Sequence, residues 1–558
     1  MRSVWPGTNG AQSGFTTVAR LFLALLLVLL AAVPAGAETP AVTLAPLPGQ
    51  DACLSDSAGD TACTPLRREL YESLGFWLSG DGRHAYALSW GYGYPASIHL
   101  FTRNRFDGAL TEEDDCWSTE ARPECHVDPL LEDAADLIIS PDWRYVYVVG
   151  TPTPQNGDDN GMPVMPPPPR AILVFERNPS SGGLTRIQCL TAGDLPGCEP
   201  VGDLGEFLSQ SIMSPDGRHA YIGTSVFDRD PGTGRLSGYR CAYEPTPDDS
   251  CPEGGTREIS PDGRFVYEGG HQLTTYARDP ASGALTGVAC PDEQECRPSP
   301  EEVPFGGTYT GLTVAPDGRN LYATDWFPEE EAWVYDMDAD PGTGLVSQRG
   351  CFHVGELDSS CAPVPALEFP GSPSAAPDGQ AVYEPYSTWV NDEGGLIMFS
   401  RDPVSGRLTW AGCMTHSGSG GECVQAPMLG SSGLAVVSPD SRNVYLVSGG
   451  GRISVLGLAV DVRAGALHVS HRGTVRPRLI CPTGVSRCEG QISLKRRRVR
   501  LAKKHFSIPG GGTTRVRVHL SKKGLAKIQK KPRLRTNATL TAAAVPGRTV
   551  RSVKLRRR

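Results

Sequence analysis

Short apolar runs recur along the chain, and many neighbouring runs are separated by a turn of the form Ser-Pro-Asp-Gly. One copy has Ile138-Ile139 before the turn and Tyr145-Val146-Tyr147 after it. Proline at the second position presets φ, aspartate suits the third position, and glycine tolerates the geometry at the exit. The pattern therefore predicts a β-hairpin between two buried strands.

The turn occurs seven times, with small variations, and in every copy a tyrosine stands five residues after the aspartate. An acidic residue at the same place in every repeat is what the turn itself requires, which favours a structural role over a catalytic one. The aspartates are Asp81, Asp142, Asp216, Asp262, Asp317, Asp378 and Asp440, and the tyrosines are Tyr86, Tyr147, Tyr221, Tyr267, Tyr322, Tyr383 and Tyr445.

Each repeat continues with a third strand, a second turn and a fourth strand. The second turn is clearest from Phe227 to Leu236, and similar copies run from Tyr276 to Leu285 and from Phe399 to Leu408. Four short strands per repeat are typical of a propeller blade. The predicted fold is all-β: a seven-bladed β-propeller over residues 38–471, with residues 151–170 as a surface loop, and then a small β-sandwich-like C-terminal module over residues 472–558.

The seventh repeat suggests how the circle closes. Its second turn, from Arg463 to Leu467, is not followed by cysteines at the usual interval, whereas Leu47 stands six residues before Cys53. We therefore expect residues 41–48 to lie beside the last blade. The alternative is that Leu467 to Arg472 alone forms the outer strand.

The first 37 residues have the features of a secretory signal. Arg2 and Arg20 precede an apolar run from Leu21 to Val33, and Ala35-Gly36-Ala37 fits a small-residue cleavage site. The run is short for a membrane span, so we expect export without a transmembrane anchor after cleavage. An uncleaved anchor helix is the alternative.

Sixteen cysteines fall into eight neighbouring pairs. Close pairing after a signal segment predicts disulfides formed in an oxidising compartment. Zinc is the alternative, but each pair is isolated in its own repeat and lacks a second set of ligands. The predicted bonds are Cys53–Cys63, Cys116–Cys125, Cys189–Cys198, Cys241–Cys251, Cys290–Cys296, Cys351–Cys361, Cys413–Cys423 and Cys481–Cys488.

Charge is divided unevenly between the two predicted domains. From Arg472 onward there are 26 of the 53 basic residues but only one of the 62 acidic ones, Glu489. The remaining 27 basic and 61 acidic residues make the preceding part strongly acidic. In the basic part, the segment from Arg515 to Leu520 alternates as a half-buried strand does. Further strands are predicted over 491–502, 533–542 and 548–555.

The turn Ser-Pro-Asp-Gly-Arg, its tyrosine, and the later Arg-Asp-Pro and Gly-x-Leu elements resemble the YVTN/lactonase-like seven-bladed propellers. This family includes lactonases of the 6-phosphogluconolactonase type. The resemblance covers about residues 41–470 and implies the fold. It places no short catalytic motif on this chain, so the catalytic residues are unknown. The cysteine pairs and the predicted export differ from the cytoplasmic lactonases.

Few residues suggest a metal site or a cofactor site. Asp336, Asp338 and Asp340 resemble the start of a calcium loop, but its twelfth position is Ser347 instead of glutamate. The same segment fits the second turn of a repeat, which is the competing interpretation. Asn156 to Asn160 has similar oxygen ligands. No cofactor-binding motif is found, and His84 and His219, beside the turn arginines, are expected on strand surfaces.

These features predict a secreted scaffold or binding protein at or outside the cell surface. A protein or small-molecule ligand would bind the propeller face, and the basic tail would be an electrostatic tether to an anionic cell-surface polymer. The alternative for the tail is a solvated polar strand face, or docking onto the acidic propeller. The alternative is an extracellular lactonase-like hydrolase or isomerase with its site in the central channel. Groups that converge from different blades would leave no local motif, so the sequence does not decide between enzyme and scaffold.

Overall fold

The computed structural model describes residues 44–557, except for the following positions: 48, 58–59, 71, 92–93, 132–133, 151–169, 194, 203, 205–210, 244–254, 271, 289–307, 328–330, 355–360, 365–368, 388–393, 420–422, 449, 463–465, 483–486, 498, 511, 532 and 543–544. The predicted signal segment, the insert and the oxygen-rich stretch from Asn156 to Asn160 therefore lie outside the described residues. Among the residues described, no helix combines the length and hydropathy needed to cross a bilayer.

Strands dominate the described chain, which confirms the all-β prediction. Three short strands come first: β1 Leu44–Pro46, β2 Cys53–Ser55 and β3 Thr64–Pro65. Sheet 1 contains β4 Glu72–Leu78, β5 His84–Gly91, β6 Tyr94–Arg103, β7 Leu110–Ser118 and β8 Cys125–Val127. Sheet 2 contains β9 Ala134–Ile139, β10 Tyr145–Gly150, β11 Ala171–Arg177, β12 Leu184–Thr191 and β13 Glu199–Pro200.

The next sheets repeat this order. Sheet 3 contains β14 Ile212–Met213, β15 His219–Ile222, β16 Ser225–Arg229 and β17 Leu236–Cys241. Sheet 4 contains β18 Thr256–Ile259, β19 Phe265–Gly269, β20 Leu273–Arg278 and β21 Leu285–Gly287. Sheet 5 contains β22 Thr308–Val314, β23 Asn320–Phe327, β24 Glu331–Ala339, β25 Val346–Val354 and β26 Ala362–Val364. Sheet 6 contains β27 Phe369–Pro370, β28 Ser374–Ala375, β29 Ala381–Ser387, β30 Gly394–Arg401, β31 Leu408–Thr415 and β32 Val424–Gln425.

Sheet 7 is built from both ends of this region. It contains β33 Ser432–Val437, β34 Asn443–Ser448 and β35 Arg452–Leu458, and β1 and β2 both pair antiparallel with β35. The prediction that the N-terminal segment lies beside the last repeat is confirmed for Leu44–Pro46. Neighbouring sheets contact each other in chain order, and sheet 7 contacts sheet 1. The arrangement is an all-β solenoid of repeated sheets.

The turns have the geometry that the sequence predicts. In sheet 3 the amide of Gly217 donates to the carbonyl of Ser214, and Gly217 has φ of 66°. Positive φ at this position normally favours glycine because a Cβ atom is strained there. Trp143 occupies the same position in sheet 2 with φ of 59°, so the turn imposes its geometry even on a bulky residue.

Six of the eight predicted cysteine pairs are disulfides in the structure: Cys53–Cys63, Cys116–Cys125, Cys189–Cys198, Cys351–Cys361, Cys413–Cys423 and Cys481–Cys488. The partner predicted for Cys241, Cys251, and the pair Cys290–Cys296 lie outside the described residues. In sheet 1 the bond joins β7 to β8, which runs parallel to it at the sheet edge. Each short loop contributes on the order of 2–3 kcal/mol of stability in the chain-entropy model.

The C-terminal module packs directly on sheet 7. Two strands that precede residue 472, β36 Asp461–Val462 and β37 Ala466–Val469, pair with strands of this module. The module itself contains β38 Thr474–Val475, β39 Arg478–Ile480, β40 Arg487–Arg496, β41 Val499–Pro509, β42 Thr513–Arg515, β43 Val518–His519, α1 Lys522–Lys530, β44 Arg533–Ala542 and β45 Val545–Arg557. Leu456 and Leu458 of β35 share one buried core with Val553 and Leu555 of β45. β37 pairs with β45, so the alternative in which Leu467 to Arg472 forms the outer strand of the last repeat is wrong.

Candidate functional site

The repeated aspartates and tyrosines join neighbouring sheets through arginines. In the clearest copy, Arg229 ends the third strand of sheet 3 and donates from Nε to the Tyr147 hydroxyl at 2.7 Å. Its other nitrogens donate to Asp142 at 2.7 Å and to the Gly217 carbonyl at 2.9 Å. The Tyr147 hydroxyl donates in turn to the Gly234 carbonyl at 2.8 Å. We call this arrangement an arginine staple.

Five such staples occur among the described residues, and each arginine is almost fully buried. Every one ends a third strand and reaches the tyrosine and aspartate of the preceding sheet; Arg103 of sheet 1 reaches back to sheet 7. The five sets are Arg103 with Tyr445 and Asp440, Arg177 with Tyr86 and Asp81, Arg229 with Tyr147 and Asp142, Arg278 with Tyr221 and Asp216, and Arg401 with Tyr322 and Asp317.

The staples explain why the aspartates recur. Burial pushes the pKa of each stapled aspartate up, but hydrogen bonds from the turn and the charge of the arginine outweigh burial. The pKa is therefore lowered at Asp81, Asp142, Asp216, Asp317 and Asp440. Each of these aspartates is held as a carboxylate that joins two sheets.

The structure corrects the expectation for His84 and His219. Both are buried instead of lying on a strand surface. Arg177 lies 2.7 Å from His84 Nδ1, and Arg278 lies 2.6 Å from His219 Nδ1. Burial and the nearby arginine both lower the pKa of each imidazole, so the neutral ring accepts a hydrogen bond from the staple.

Two interfaces lack the arginine. The last residue of the third strand is Ala339 in sheet 5 and Leu458 in sheet 7. Leu458 lies in an apolar core with Leu44 and Ala376, and burial raises the pKa of Asp378, the aspartate of sheet 6. The side chain of Ala339 is too small to fill the space that an arginine occupies at the stapled interfaces.

The three candidate metal ligands all accept hydrogen bonds from protein groups. Asp336 and Asp338 both bind the guanidinium of Arg349, and Asp336 also accepts from the Leu408 amide at 3.0 Å. Asp340 accepts from the amide of Gly342 at 2.7 Å, as the turn interpretation requires. Among the described residues no cluster of carboxylate, histidine or cysteine ligands fits a metal ion.

One buried trio has the residue types of a catalytic triad. Ser97 Oγ lies 2.9 Å from His99 Nε2, and His99 Nδ1 lies 3.5 Å from Glu112. Burial lowers the pKa of His99, and Glu112 is also held by Arg68 at 3.1 Å. The exposed fractions of Ser97 and His99 are 1% and 0%, so a substrate has no access to them. The trio therefore has a packing role.

A basic cleft in the C-terminal module brings arginine and histidine side chains together. Buried and exposed side chains alternate along one wall of the cleft. Val516, Val518 and Leu520 are buried, whereas Arg515, Arg517 and His519 are exposed. The sequence predicts this alternation of burial, but the segment contributes to two short strands, β42 and β43, instead of forming one. β43 pairs with β38, and the Thr474 hydroxyl lies 3.1 Å from His519 Nδ1. The buried faces join the core shared with sheet 7, which fixes the exposed faces in place.

The cleft has a volume of about 750 Å³ and is lined by four arginines and three histidines. No carboxylate lines it, and none of its arginines forms an ion pair with another described residue. Guanidinium groups bind phosphate, sulfate and carboxylate oxygens in pairs of hydrogen bonds. The arginines and histidines that line the cleft are His468, His471, Arg472, Arg476, Arg515, Arg517 and His519.

The first strands of the sheets carry few ionisable groups. The residues that pair with the repeated tyrosines are Trp77, Ile138, Ile212, Glu258, Thr313, Ser374 and Val436. Glu258 is the one acid in this set. Although its side chain keeps some contact with solvent, surrounding protein raises its pKa to about 7. The sequence does not reveal this shift because it depends on burial.

No protein-family model and no curated protein matches the chain. Solved structures with detectable similarity include a periplasmic gluconolactonase from Pseudomonas aeruginosa, at 15% identity and a TM-score of 0.40, covering 76% of this chain and 95% of that one. Another is Kuenenia stuttgartiensis hydrazine synthase, at 15% identity and a TM-score of 0.41, covering 71% of this chain and 98% of that one. Similarity at this level does not establish an activity.

Proposed function

We propose that the protein is a seven-bladed β-propeller scaffold that acts at or outside the cell surface and is tethered there by its basic C-terminal module. The basic cleft is the observation that carries the tether, because it gathers seven arginine and histidine side chains and its described lining residues include no carboxylate. Its partner would be an anionic polymer that carries phosphate, sulfate or carboxylate groups.

Two features support the scaffold. The cyclic contacts of seven sheets, with Arg103 joining sheet 1 to sheet 7, are those expected of propeller blades. Six disulfides fit an extracellular or periplasmic location, where thiols are oxidised. The loops of the blades would then present one face of the propeller to a protein or small-molecule ligand.

The tether is tested with the full chain, because the module shares its core with sheet 7 and its deletion would expose that core. The Arg515→Gln/Arg517→Gln variant removes two charges from the cleft. The Lys522→Gln/Lys523→Gln variant removes two exposed charges from α1 as a matched control. We expect the cleft variant to lose more affinity for polyphosphate and to lower the slope of log K against log salt by about 1.5.

Polyphosphate binding is measured by titration at several salt concentrations. An equal loss in the two variants would assign binding to diffuse charge and overturn the role of the cleft. Absence of binding by the wild-type protein at low salt would overturn the tether itself.

A second candidate function is an extracellular lactonase-like hydrolase or isomerase, and Glu258 is the observation that favours it. A carboxyl group with a pKa of about 7 is suited to general acid or base chemistry at neutral pH. In that case the wild-type protein would turn over a lactone substrate, and Glu258→Gln would abolish turnover without a change in melting temperature. Wild-type turnover no faster than buffer would contradict this function.

A further inference from the structure

The interface between sheets 4 and 5 contains a cavity at the place where five other interfaces hold an arginine. Its volume is about 110 Å³, and its walls include Asp262, Phe265 and Tyr267 of sheet 4 and Asp317, Gly318 and Pro341 of sheet 5. A single water needs roughly 10–15 Å³ of such space. The cavity therefore has room for a planar group of several atoms.

The stapled interface between sheets 2 and 3 shows what this cavity is shaped to hold. There, the Arg229 guanidinium binds Tyr147, Asp142 and the Gly217 carbonyl. It also lies 5.2 Å from the centre of the Tyr145 ring, a distance suited to a cation–π contact.

Every one of these partners has a counterpart around the cavity. Tyr267, Asp262 and Gly318 hold the corresponding positions of the turns, and the Phe265 ring stands where the Tyr145 ring does. The second turns of the two repeats also share the sequence Asp-Pro-Gly-Thr-Gly. Ala339 is the difference, because it ends the third strand where Arg229 does.

The Tyr267 hydroxyl is left without a partner. Its side chain is 0% exposed, and no hydrogen bond reaches the hydroxyl from the described part of the chain. A buried hydroxyl without a partner costs on the order of 1–3 kcal/mol. The tyrosines of the staples, in contrast, both accept from an arginine and donate to a carbonyl.

Two acidic residues of the cavity wall, Asp262 and Asp317, are exposed, so they mark the side from which a ligand would enter. Asp317 is paired with Arg401, whereas Asp262 forms no ion pair with the residues described. Arg264 lies over the Phe265 ring at 5.2 Å and donates to the carbonyls of Pro341 and Gly342, at 3.0 and 3.3 Å.

We propose that this cavity binds a guanidinium group, carried by a small guanidino compound or by an arginine of a peptide. The group is planar and cationic, and its N–H donors would reach the Tyr267 hydroxyl, the Gly318 carbonyl and the Asp262 carboxylate together. The face of Phe265 would stack against it. An ammonium group is a point charge without this planar fork and satisfies fewer of the partners.

Thermal unfolding of the full, disulfide-bonded chain tests this site at millimolar guanidinium chloride, with methylammonium chloride at equal ionic strength as the control. We expect guanidinium to raise the melting temperature of the wild-type protein more than methylammonium does. Ala339→Arg fills the cavity from within and should abolish the difference. Equal responses of the wild-type protein and Ala339→Arg would overturn the proposal.

Calorimetric titration with methylguanidine and with a capped Gly-Arg-Gly peptide identifies the source of the group. We expect Asp262→Asn and Tyr267→Phe each to weaken binding by roughly tenfold, the effect of one lost hydrogen bond to a charged group. Binding of methylguanidine alone indicates a small guanidino compound, and binding of the peptide supports an arginine side chain. Binding of neither probe would overturn the proposal.

Discussion

The interfaces between sheets 2 and 3 and between sheets 4 and 5 use the same turn, tyrosine and aspartate, but they differ in the last residue of the third strand. Arg229 fills the first interface, whereas Ala339 leaves a cavity in the second. At the interface between sheets 6 and 7, Leu458 stands at the position of the arginine and packs into an apolar core. Every repeat therefore provides a tyrosine hydroxyl and an aspartate as hydrogen-bond acceptors. The last residue of the third strand in the next sheet determines whether an arginine binds them.

Interfaces with and without the arginine also differ in the pKa of their aspartates. The stapled Asp142 has a lowered pKa because hydrogen bonds and Arg229 outweigh its burial. The interface of Asp378 has no arginine, and burial raises the pKa of this aspartate. The same turn thus holds carboxylates whose pKa values shift in opposite directions.

The largest expected effect is the loss of a staple. Arg229→Met should destabilise the protein by about 2–3 kcal/mol, because the Tyr147 hydroxyl and Asp142 lose a charged donor inside the interface. Asp142 is about one-third exposed, so solvent reduces the ion-pair part of this figure. The control Arg235→Met removes a half-exposed arginine of the same sheet and should cost less than about 1 kcal/mol. Denaturant unfolding measures both, and equal losses would contradict the role of the staple.

The same substitution should have opposite signs at the two unstapled interfaces. Ala339→Arg should stabilise the protein by about 1 kcal/mol, because its acceptors are already in place. Leu458→Arg should destabilise it by about 2 kcal/mol, because it puts a charge into a packed apolar core. Urea midpoints of the two variants give the comparison. Stabilisation by Leu458→Arg would show that Asp378 and Tyr383 can also form a staple.

The smallest effect is a dependence on pH. Because the pKa of Asp142 is lowered in the folded state, its contribution is present above its unfolded pKa of about 3.9 and is lost as the pH falls through the folded pKa. The stability difference between wild type and Arg229→Met should therefore shrink as the pH falls below about 4. Unfolding curves at successive pH values measure this difference. A constant difference would mean that Arg229 acts by packing and not through the carboxylate.

Local patterns in the sequence predict much of this fold. The hairpin turns, the cysteine pairs and the strand Arg533–Ala542 follow from short-range spacing. The position of Leu44–Pro46 follows from comparing the first and last repeats, because one strand is missing from the seventh. The helix α1 was not predicted, although Ser521 caps its first turn through the amide of Gly524. Its nine residues are too few for the apolar spacing to stand out.

The candidate sites depend on contacts that the sequence does not display. Arg103 and Tyr445 stand in the first and last repeats, 342 positions apart, so no local pattern links them. The sequence does contain the arginine of each Arg-Asp-Pro turn, but only the sheet contacts show that it points to the preceding repeat. The cavity beside Ala339 likewise becomes visible only when the interfaces are compared.

The pairing of β1 and β2 with β35 has a consequence for synthesis of the chain. Cys53 of β2 lies opposite Ser454 of β35. At about 5–20 residues per second, the partner strand emerges roughly 20–80 seconds after the first one. The disulfide Cys53–Cys63 spans only 10 residues, so it can form during that interval. The strands β1 and β2 therefore remain without their partner β35 until the last repeat has been translated.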